Sequence, residues 1–518
     1  MKKLLAAALT VASLAFASPS LAQTPPNVLV VGQIAEPKSL DPDAVTAVND
    51  FRIVFNIYDG LVRYKHGTLE VEPDLATSWD ISEDGTVYTF HLREGVKFHD
   101  GSPFNAEAVK FKFDRMLDED SEYHDTGPFP LSFFFSAVDT VTAVDDMTVE
   151  FKLKEPYAPF LSNLAYTPGL IISPEAVKQY GADVGRHPSG TGPFKFEEWE
   201  ANSKVVVSRN EDYWDGAPSL EAVVYRPITD SNTRVAEMLS GGVDLLVEVP
   251  PDNISQFEES PDYTVYEQGT PQIWFLILNA KEGPMADKRV RQAVNYAINK
   301  SAIVDDILQG TATVAAGPVP PAFNWAHDTG LKPYPYDPEK AKQLIADAGA
   351  EGASVKFLVT EGGSSMLDPI PMGTAIQADL EAVGLNVEIE TYEWNTFLGK
   401  VNPGLEGKGD MAEMSWTTND PDTLPFLALR TEAFPDKGGF NSGYYSNPEV
   451  DKLLEKARTS TDQAERAELY KKMQEIVYDD APWAFVANGN QIAASAASVK
   501  DFSLEPSAFL LLHNVSKE

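Results

Sequence analysis

The chain has 518 residues, 43% of them hydrophobic, with 78 acidic and 41 basic side chains and no cysteine. The missing cysteine excludes a disulfide scaffold, a thiolate zinc site and a cysteine nucleophile, and a formal charge of −37 argues against nucleic-acid or anionic-membrane partners, which need clustered Lys and Arg. At roughly 100 to 200 residues per domain, the length points to about three domains with ample apolar content for a large core.

The first residues have the parts of a secretory signal: Lys2 and Lys3, an apolar stretch over residues 4–16, and Ser20-Leu21-Ala22 as a small-x-small cleavage site. The apolar stretch is shorter than the roughly 20 residues that span a bilayer, so residues 1–22 read as a cleaved signal peptide and not as an anchor. No cysteine follows to carry a lipid. The mature protein is therefore expected free in a periplasm, not lipidated.

Residues 28–32 read as a buried strand, followed by the turn-rich Glu36-Pro37-Lys38-Ser39-Leu40-Asp41-Pro42. Two β segments come next. Residues 86–92 place Tyr88, Phe90 and Leu92 on one face behind the turn Ser82-Glu83-Asp84-Gly85, and residues 147–153 do the same with Val149, Phe151 and Leu153. Between them lies a helix capped by Asn105, with Val109, Phe113, Met116 and Leu117 as its apolar stripe. Further strands follow Gly190-Thr191-Gly192-Pro193, at 194–199, 205–208, 222–225 and 272–278. From Lys288 the pattern turns helical, with Val290, Ala293, Val294, Ala297 and Ile298 at helical spacing. Asp337-Pro338-Glu339 and Asn447-Pro448-Glu449 each place a cap residue before proline at the first helical position. Strands at 355–359 and 386–390 alternate with these helices, and a return strand lies near 484–487. The whole is mixed α/β, a β-rich half followed by a βα half.

Catalytic and cofactor motifs find no support. His66, His91, His99, His124, His187, His327 and His513 never fall at metal-ligand spacing, and no H-E-x-x-H occurs. Gly190-Thr191-Gly192 lacks the third glycine of a dinucleotide loop, and Pro193 removes a donor that a phosphate needs, so a turn is the better reading. Neither a G-x-S-x-G elbow nor a G-K-[ST] loop is present. No cofactor and no metal are expected. An exported hydrolase with two positioned carboxylates remains as an alternative without a motif behind it. What stands out is aromatic: Tyr392-Glu393-Trp394 at a strand end, and Trp416 opening onto the turn-forming Thr417-Thr418-Asn419-Asp420-Pro421-Asp422. Each tryptophan alone reads as core, whereas the two together fit the floor of a ligand cleft.

Several stretches resemble the peptide, dipeptide and nickel class of periplasmic solute-binding proteins that serve ABC importers, the family 5 extracellular solute-binding proteins. The main one runs from Pro73-Asp74-Leu75-Ala76-Thr77-Ser78-Trp79 to Val96-Lys97-Phe98-His99-Asp100-Gly101. Others are Gly190-Thr191-Gly192-Pro193-Phe194, Asn210-x-x-Tyr213-Trp214, the run from Val290 to Ile298, Tyr336-Asp337-Pro338-Glu339, and Tyr445-Ser446-Asn447-Pro448. The resemblance implies a two-lobed periplasmic-binding-protein fold of type II with an extra domain inserted in lobe I. Lobe I is then expected from 24–54, 189–285 and 487–518, the inserted domain from 55–188, and lobe II from 286–486. Crossovers near 280–287 and 484–488 would be the hinge.

The implied function is capture of a peptide or peptide-like solute between the lobes and delivery to the permease subunits of an ABC transporter, by a monomer that is not an enzyme. In peptide-binding relatives an aspartate three residues after a tryptophan fixes the ligand's ammonium. That position here is Asn419, with Asp420 or Asp422, which follow at once, as the expected substitute. Dipeptide binders also hold the ligand carboxylate with an arginine before the Tyr392-Glu393-Trp394 segment, whereas this chain has no arginine between Gln292 and Leu429. Strict dipeptide specificity is therefore not expected, and an opine, a sugar or oligosaccharide stacked on Trp394 and Trp416 stays open. So does a binder that serves a chemoreceptor or acts as a chaperone. Glu36 matches a lobe I position facing the peptide, and Trp274 one where a lobe I strand meets the ligand or fills its own core.

Overall fold

The structure, a computed structural model, describes residues 25–362 and 366–518; the expected signal segment lies outside them. The apolar run at the start becomes β1 (Val28–Gln33), buried at all but its first position, as a central strand covered on both faces requires. The Val48–Ile57 helix follows, and then β2 (Val62–Tyr64) and β3 (Val71–Pro73) pair as a short antiparallel ribbon. Period-two alternation builds the next unit: β4 (Ala76–Ile81), β5 (Val87–Leu92), β6 (Val138–Asp145) and β7 (Thr148–Leu153) form an antiparallel sheet in the order β4-β5-β7-β6. Tyr88, Phe90 and Leu92 point into its core with Val149, Phe151 and Leu153. The Ala106–Leu117 helix covers it, started by Asn105, whose side chain accepts from the Ala108 amide.

The remaining strands join β1 in one twelve-stranded sheet. They are β8 (Phe194–Glu200), β9 (Lys204–Arg209), β10 (Ala222–Pro227), β11 (Leu245–Val247), β12 (Tyr263–Gly269), β13 (Gln272–Leu278), β14 (Ala312–Val314), β15 (Ser354–Thr360), β16 (Asn386–Tyr392), β17 (Met411–Thr417) and β18 (Trp483–Ala496). The path runs β16-β15-β17-β13-β18-β11-β1-β10-β9-β8, with β12 and β14 also on β18. Helices Lys288–Ala297, Pro338–Ala348 and Pro369–Ala382 pack on one face of the β13, β15 and β17 side. The second of these is capped by Asp337 with proline first, as the sequence pattern predicts.

β18 spans both sides. Its first part pairs with β13 and β14, up to Gly489 opposite Ala312. Its later part pairs with β11 and β12, beginning at Asn490 opposite Gly269. The other crossing is Thr270-Pro271, where Thr270 donates its amide and its hydroxyl to the Gly489 carbonyl at 3.2 and 2.8 Å. The change of partners thus falls at 270–271 and 489–490, and the expected crossover at 280–287 is displaced. Residues 272–278, expected in lobe I, pair with β17 on the other side. The reason is physical: β13 is apolar along nearly its whole length and buried on both faces, so its composition reports burial without saying which sheet half it joins. Proline, lacking a donor, marks the exchange.

Candidate functional site

Strand direction defines a site before any side chain is considered. β1, β10 and β11 run parallel in the first half, and β15, β16 and β17 in the second. β11 lies antiparallel to β18 with Leu245 opposite Ser495 and Val247 opposite Ala493, so its carboxyl end points to the middle of β18. β17 lies antiparallel to β13 and ends with Thr417 opposite Gln272, next to the same crossing. The carboxyl ends of both parallel sets therefore converge on the place where β18 changes partners. Such ends are where open α/β sheets bind ligands.

The first-half edge concentrates buried charge. Arg52, 5% exposed, donates from Nη2 to Glu248 Oε1 at 3.2 Å. Arg234 gives Nη1 to the carbonyls of Ile228 and Thr229, and its buried Nε has no hydrogen-bond partner. Gln33 Oε1, Asp50 Oδ2 and Glu248 Oε2 are buried without partners as well. Glu248 stands at φ +63°, in the left-handed region that costs a side chain of this kind about 1 to 3 kcal/mol and recurs at ligand sites. Burial lowers the Arg234 pKa and pushes the Asp50 carboxyl up to about 6. Sequence reasoning missed this group. Its one available signal was charge set inside apolar runs, in Phe51-Arg52-Ile53-Val54 and Leu245-Leu246-Val247-Glu248-Val249.

On the second-half edge, Trp416 is partly exposed at the end of β17 and meets the Phe440 ring edge-on at 5.5 Å. Trp394, also partly exposed, begins a helix after β16 and stacks on Phe397 at 6.0 Å. Between β15 and β17 the Glu413 carboxyl is buried. One oxygen accepts from the Thr360 amide at 2.7 Å, the other has no partner, and burial raises its pKa well above the usual range.

The loop after β17 is occupied with other work. Asn419, 5% exposed, donates to Asn163 Oδ1 at 2.7 Å, and its carbonyl accepts from the Tyr64 hydroxyl at 3.0 Å. Asp420, 1% exposed, accepts from Ser162 Oγ at 2.9 Å and Arg466 Nη2 at 2.7 Å, and also from the Asp422 amide. Its carboxylate is saturated inside the protein, which corrects the expectation that it replaces the ammonium anchor. Of the two readings of Trp274 the core one holds and the ligand-facing one is corrected: it is fully buried with Leu276 and Leu278 under the second-half helices, because alternate residues of β13 share that face. Glu36 sits near the first-half edge, but its carboxylate accepts from Trp199 Nε1 at 2.6 Å and the Asn202 amide at 3.0 Å.

The model of the bacterial extracellular solute-binding proteins, family 5 (Middle), matches residues 70–437. The chain belongs to that family. Among curated relatives of this family 5 protein, "Di/tripeptide-binding protein 2" of Pseudomonas aeruginosa (strain UCBPP-PA14) is 32% identical over 511 residues, 95% of each chain. HbpA2 from Haemophilus parasuis superposes with a TM-score of 0.88 at 30% identity, covering 95% of this chain and all of the other. DppA from Helicobacter pylori in complex with the peptide STSA gives 0.77 at 33% identity, over 95% and 98% of the two chains. Among the described residues of the family 5 chain, no helix is long and apolar enough to cross a membrane, and no three acidic or histidine side chains are placed to hold a metal ion.

Proposed function

We propose that this chain captures a peptide or peptide-like solute between its two halves in the periplasm and delivers it to the permease subunits of an ABC importer, without a catalytic step. The observation that carries the reading is the convergence of two sets of strand ends on the crossing in β18, one edge bearing Trp416 and Trp394, the other Arg52, Arg234 and Glu248. We assign residues 25–54, 189–270 and 490–518 to lobe I, 55–188 to its inserted domain and 271–489 to lobe II. Rotation about Thr270-Pro271 and Gly489-Asn490 closes them, since a few residues at element ends can absorb such a motion. A solute that touches both lobes favours the closed state by its extra contacts there.

The aromatic edge supplies stacking area and the charged edge supplies orientation. Arg234, with Nε unpartnered, is the partner we assign to a solute carboxylate, in place of the arginine absent between Gln292 and Leu429. Asn419 is assigned to the interlobe contact, Glu36 to the rim. A cleaved signal over residues 1–22, absence of a lipid anchor and a monomeric state belong to the same proposal.

A thermal-shift screen of the refolded, ligand-free protein against di-, tri- and longer peptides, opines and oligosaccharides tests it. A solute at 100 times its dissociation constant adds about 2.7 kcal/mol of stability. Stabilisation by peptides is the expected result. Stabilisation by an opine or a sugar alone would overturn the solute, and chemical turnover of the bound molecule would overturn the non-enzymatic reading.

A further inference from the structure

A cavity of about 670 Å³ opens elsewhere, between the β2–β3 ribbon and the C-terminal segment 501–514. Tyr64 lines it and separates it from the loop after β17, handing its hydroxyl to Asn419. Among the described residues, six carboxyl groups, two histidines and one arginine, Arg63, line the wall. On its floor Asp59 accepts from Tyr213 and Trp214 at 3.0 Å each and from Thr191 at 2.8 Å. Asp74, 3% exposed, accepts from the Gly60 amide through one oxygen. Its other oxygen has no hydrogen-bond donor and faces the Arg63 guanidinium at 3.5 Å. That guanidinium is shared with Glu72 at 3.0 Å and Asp215 at 3.4 Å, and a second, Arg93, donates to the Asp74 carbonyl at 3.2 Å, so two cations serve several anions. Burial raises the pKa of both Asp59 and Asp74, and the charge of Asp59 raises Asp74 further. Another part of the wall is apolar, where Phe55 and Phe509 stack with centroids 3.6 Å apart.

We propose that this cavity is a second ligand site, taking a small organic cation with an ammonium or guanidinium group on an aromatic or apolar body. The charge joins Arg63 at the Asp74 oxygen that accepts no hydrogen bond and adds a cation to a wall with more carboxyl groups than guanidinium groups, and the body lies against the Phe55–Phe509 pair, where an aromatic face also attracts a cation. The volume is that of a small-molecule pocket. An anion would meet the carboxyl-rich wall, and a bare metal ion finds no set of three ligating side chains among the described residues. The site is independent of the cleft between the lobes and of the solute proposed for it.

Calorimetric titration of the full mature chain with benzylammonium, beside benzyl alcohol and benzoate as shape-matched controls, tests the assignment. The expected result is saturable one-to-one binding of benzylammonium alone, weakened at least tenfold in Asp74→Asn. Should that variant fail to fold, the double variant Glu72→Gln with Asp215→Asn changes two partly exposed rim carboxylates and is expected to weaken binding at least threefold. Absence of saturable binding, equal binding of benzyl alcohol, or unchanged affinity in a folded variant would overturn the proposal.

Discussion

Asn419 donates from Nδ2 to Oδ1 of Asn163 at 2.7 Å, a bond between residues 256 positions apart. With the Tyr64 hydroxyl on the Asn419 carbonyl and Ser162 on Asp420, it fastens the loop after β17 to the inserted unit. Nearby, the Ala158 amide donates to the Arg458 carbonyl at 2.7 Å and the Arg458 guanidinium lies 4.6 Å from the centre of the Tyr157 ring. The polar turn that follows Trp416 is thus tied to the inserted unit, while Trp416 before it stays partly exposed.

Asp420 is expected to matter for stability more than for solute affinity. Breaking one partner of a buried ion pair typically costs about 3 to 5 kcal/mol because the other charge stays buried. Asp420→Asn keeps the shape and removes the charge opposite Arg466, so urea unfolding should show a loss of about 3 kcal/mol. Native stability with lost solute affinity would return Asp420 to the ligand.

Trp416→Ala is expected to weaken solute binding by roughly 1 to 3 kcal/mol, as truncation of an aromatic anchor does. Titration calorimetry with the solute found by the stability screen reads this directly. Unchanged affinity would reduce Trp416 to a packing residue against Phe440.

Arg234→Lys should discriminate between solutes. It keeps the charge and loses the guanidinium fork, so a peptide with a free carboxylate is expected to bind about 1.5 to 3 kcal/mol more weakly, the value of a hydrogen bond to a charged group. The C-terminally amidated peptide should bind the variant and the parent alike. Equal losses for both peptides would remove Arg234 from carboxylate recognition.

His99 gives a pH dependence with a definite sign. Burial holds its pKa at about 4, below the usual 6.5, and its neutral ring donates from Nε2 to the Gly192 carbonyl at 2.9 Å while Nδ1 accepts from the Gly190 amide. A depressed pKa means that its contribution to stability is complete above about pH 6.5 and is lost as pH falls towards 4. Between roughly pH 7.5 and 4.5 the parent should lose about 1 to 3 kcal/mol more than His99→Gln, a shift of one unit being worth about 1.4 kcal/mol. Parallel stability curves for the two proteins would contradict this.

Local signals in the sequence were dependable because the interactions behind them are local. Asn105 and Asp337 cap the helices they precede, Asn447 does the same before Pro448, and the alternation of Tyr88, Phe90 and Leu92 became a buried strand face. Motifs spread along the chain also carry the family, since each is a short local run. The site was legible only in part. Trp394 and Trp416 lie partly exposed, but the sequence leaves Trp274 between core and ligand and misplaces Asp420, since a strand buried on both faces hides its partner and a carboxylate's pairing with Arg466 depends on how distant segments fold together. Arg52, Arg234 and Glu248 were invisible for the same reason. They come from three separated segments and meet only because β1, β10 and β11 end side by side.

Titration calorimetry of the ligand-stripped mature protein with a series of unmodified peptides two to five residues long reads peptide capture without turnover directly. Saturable one-to-one binding with a negative heat-capacity change from closure over apolar surface is expected, with intact peptide recovered afterwards. No binding across the series, or recovery of cleaved peptide, would contradict it.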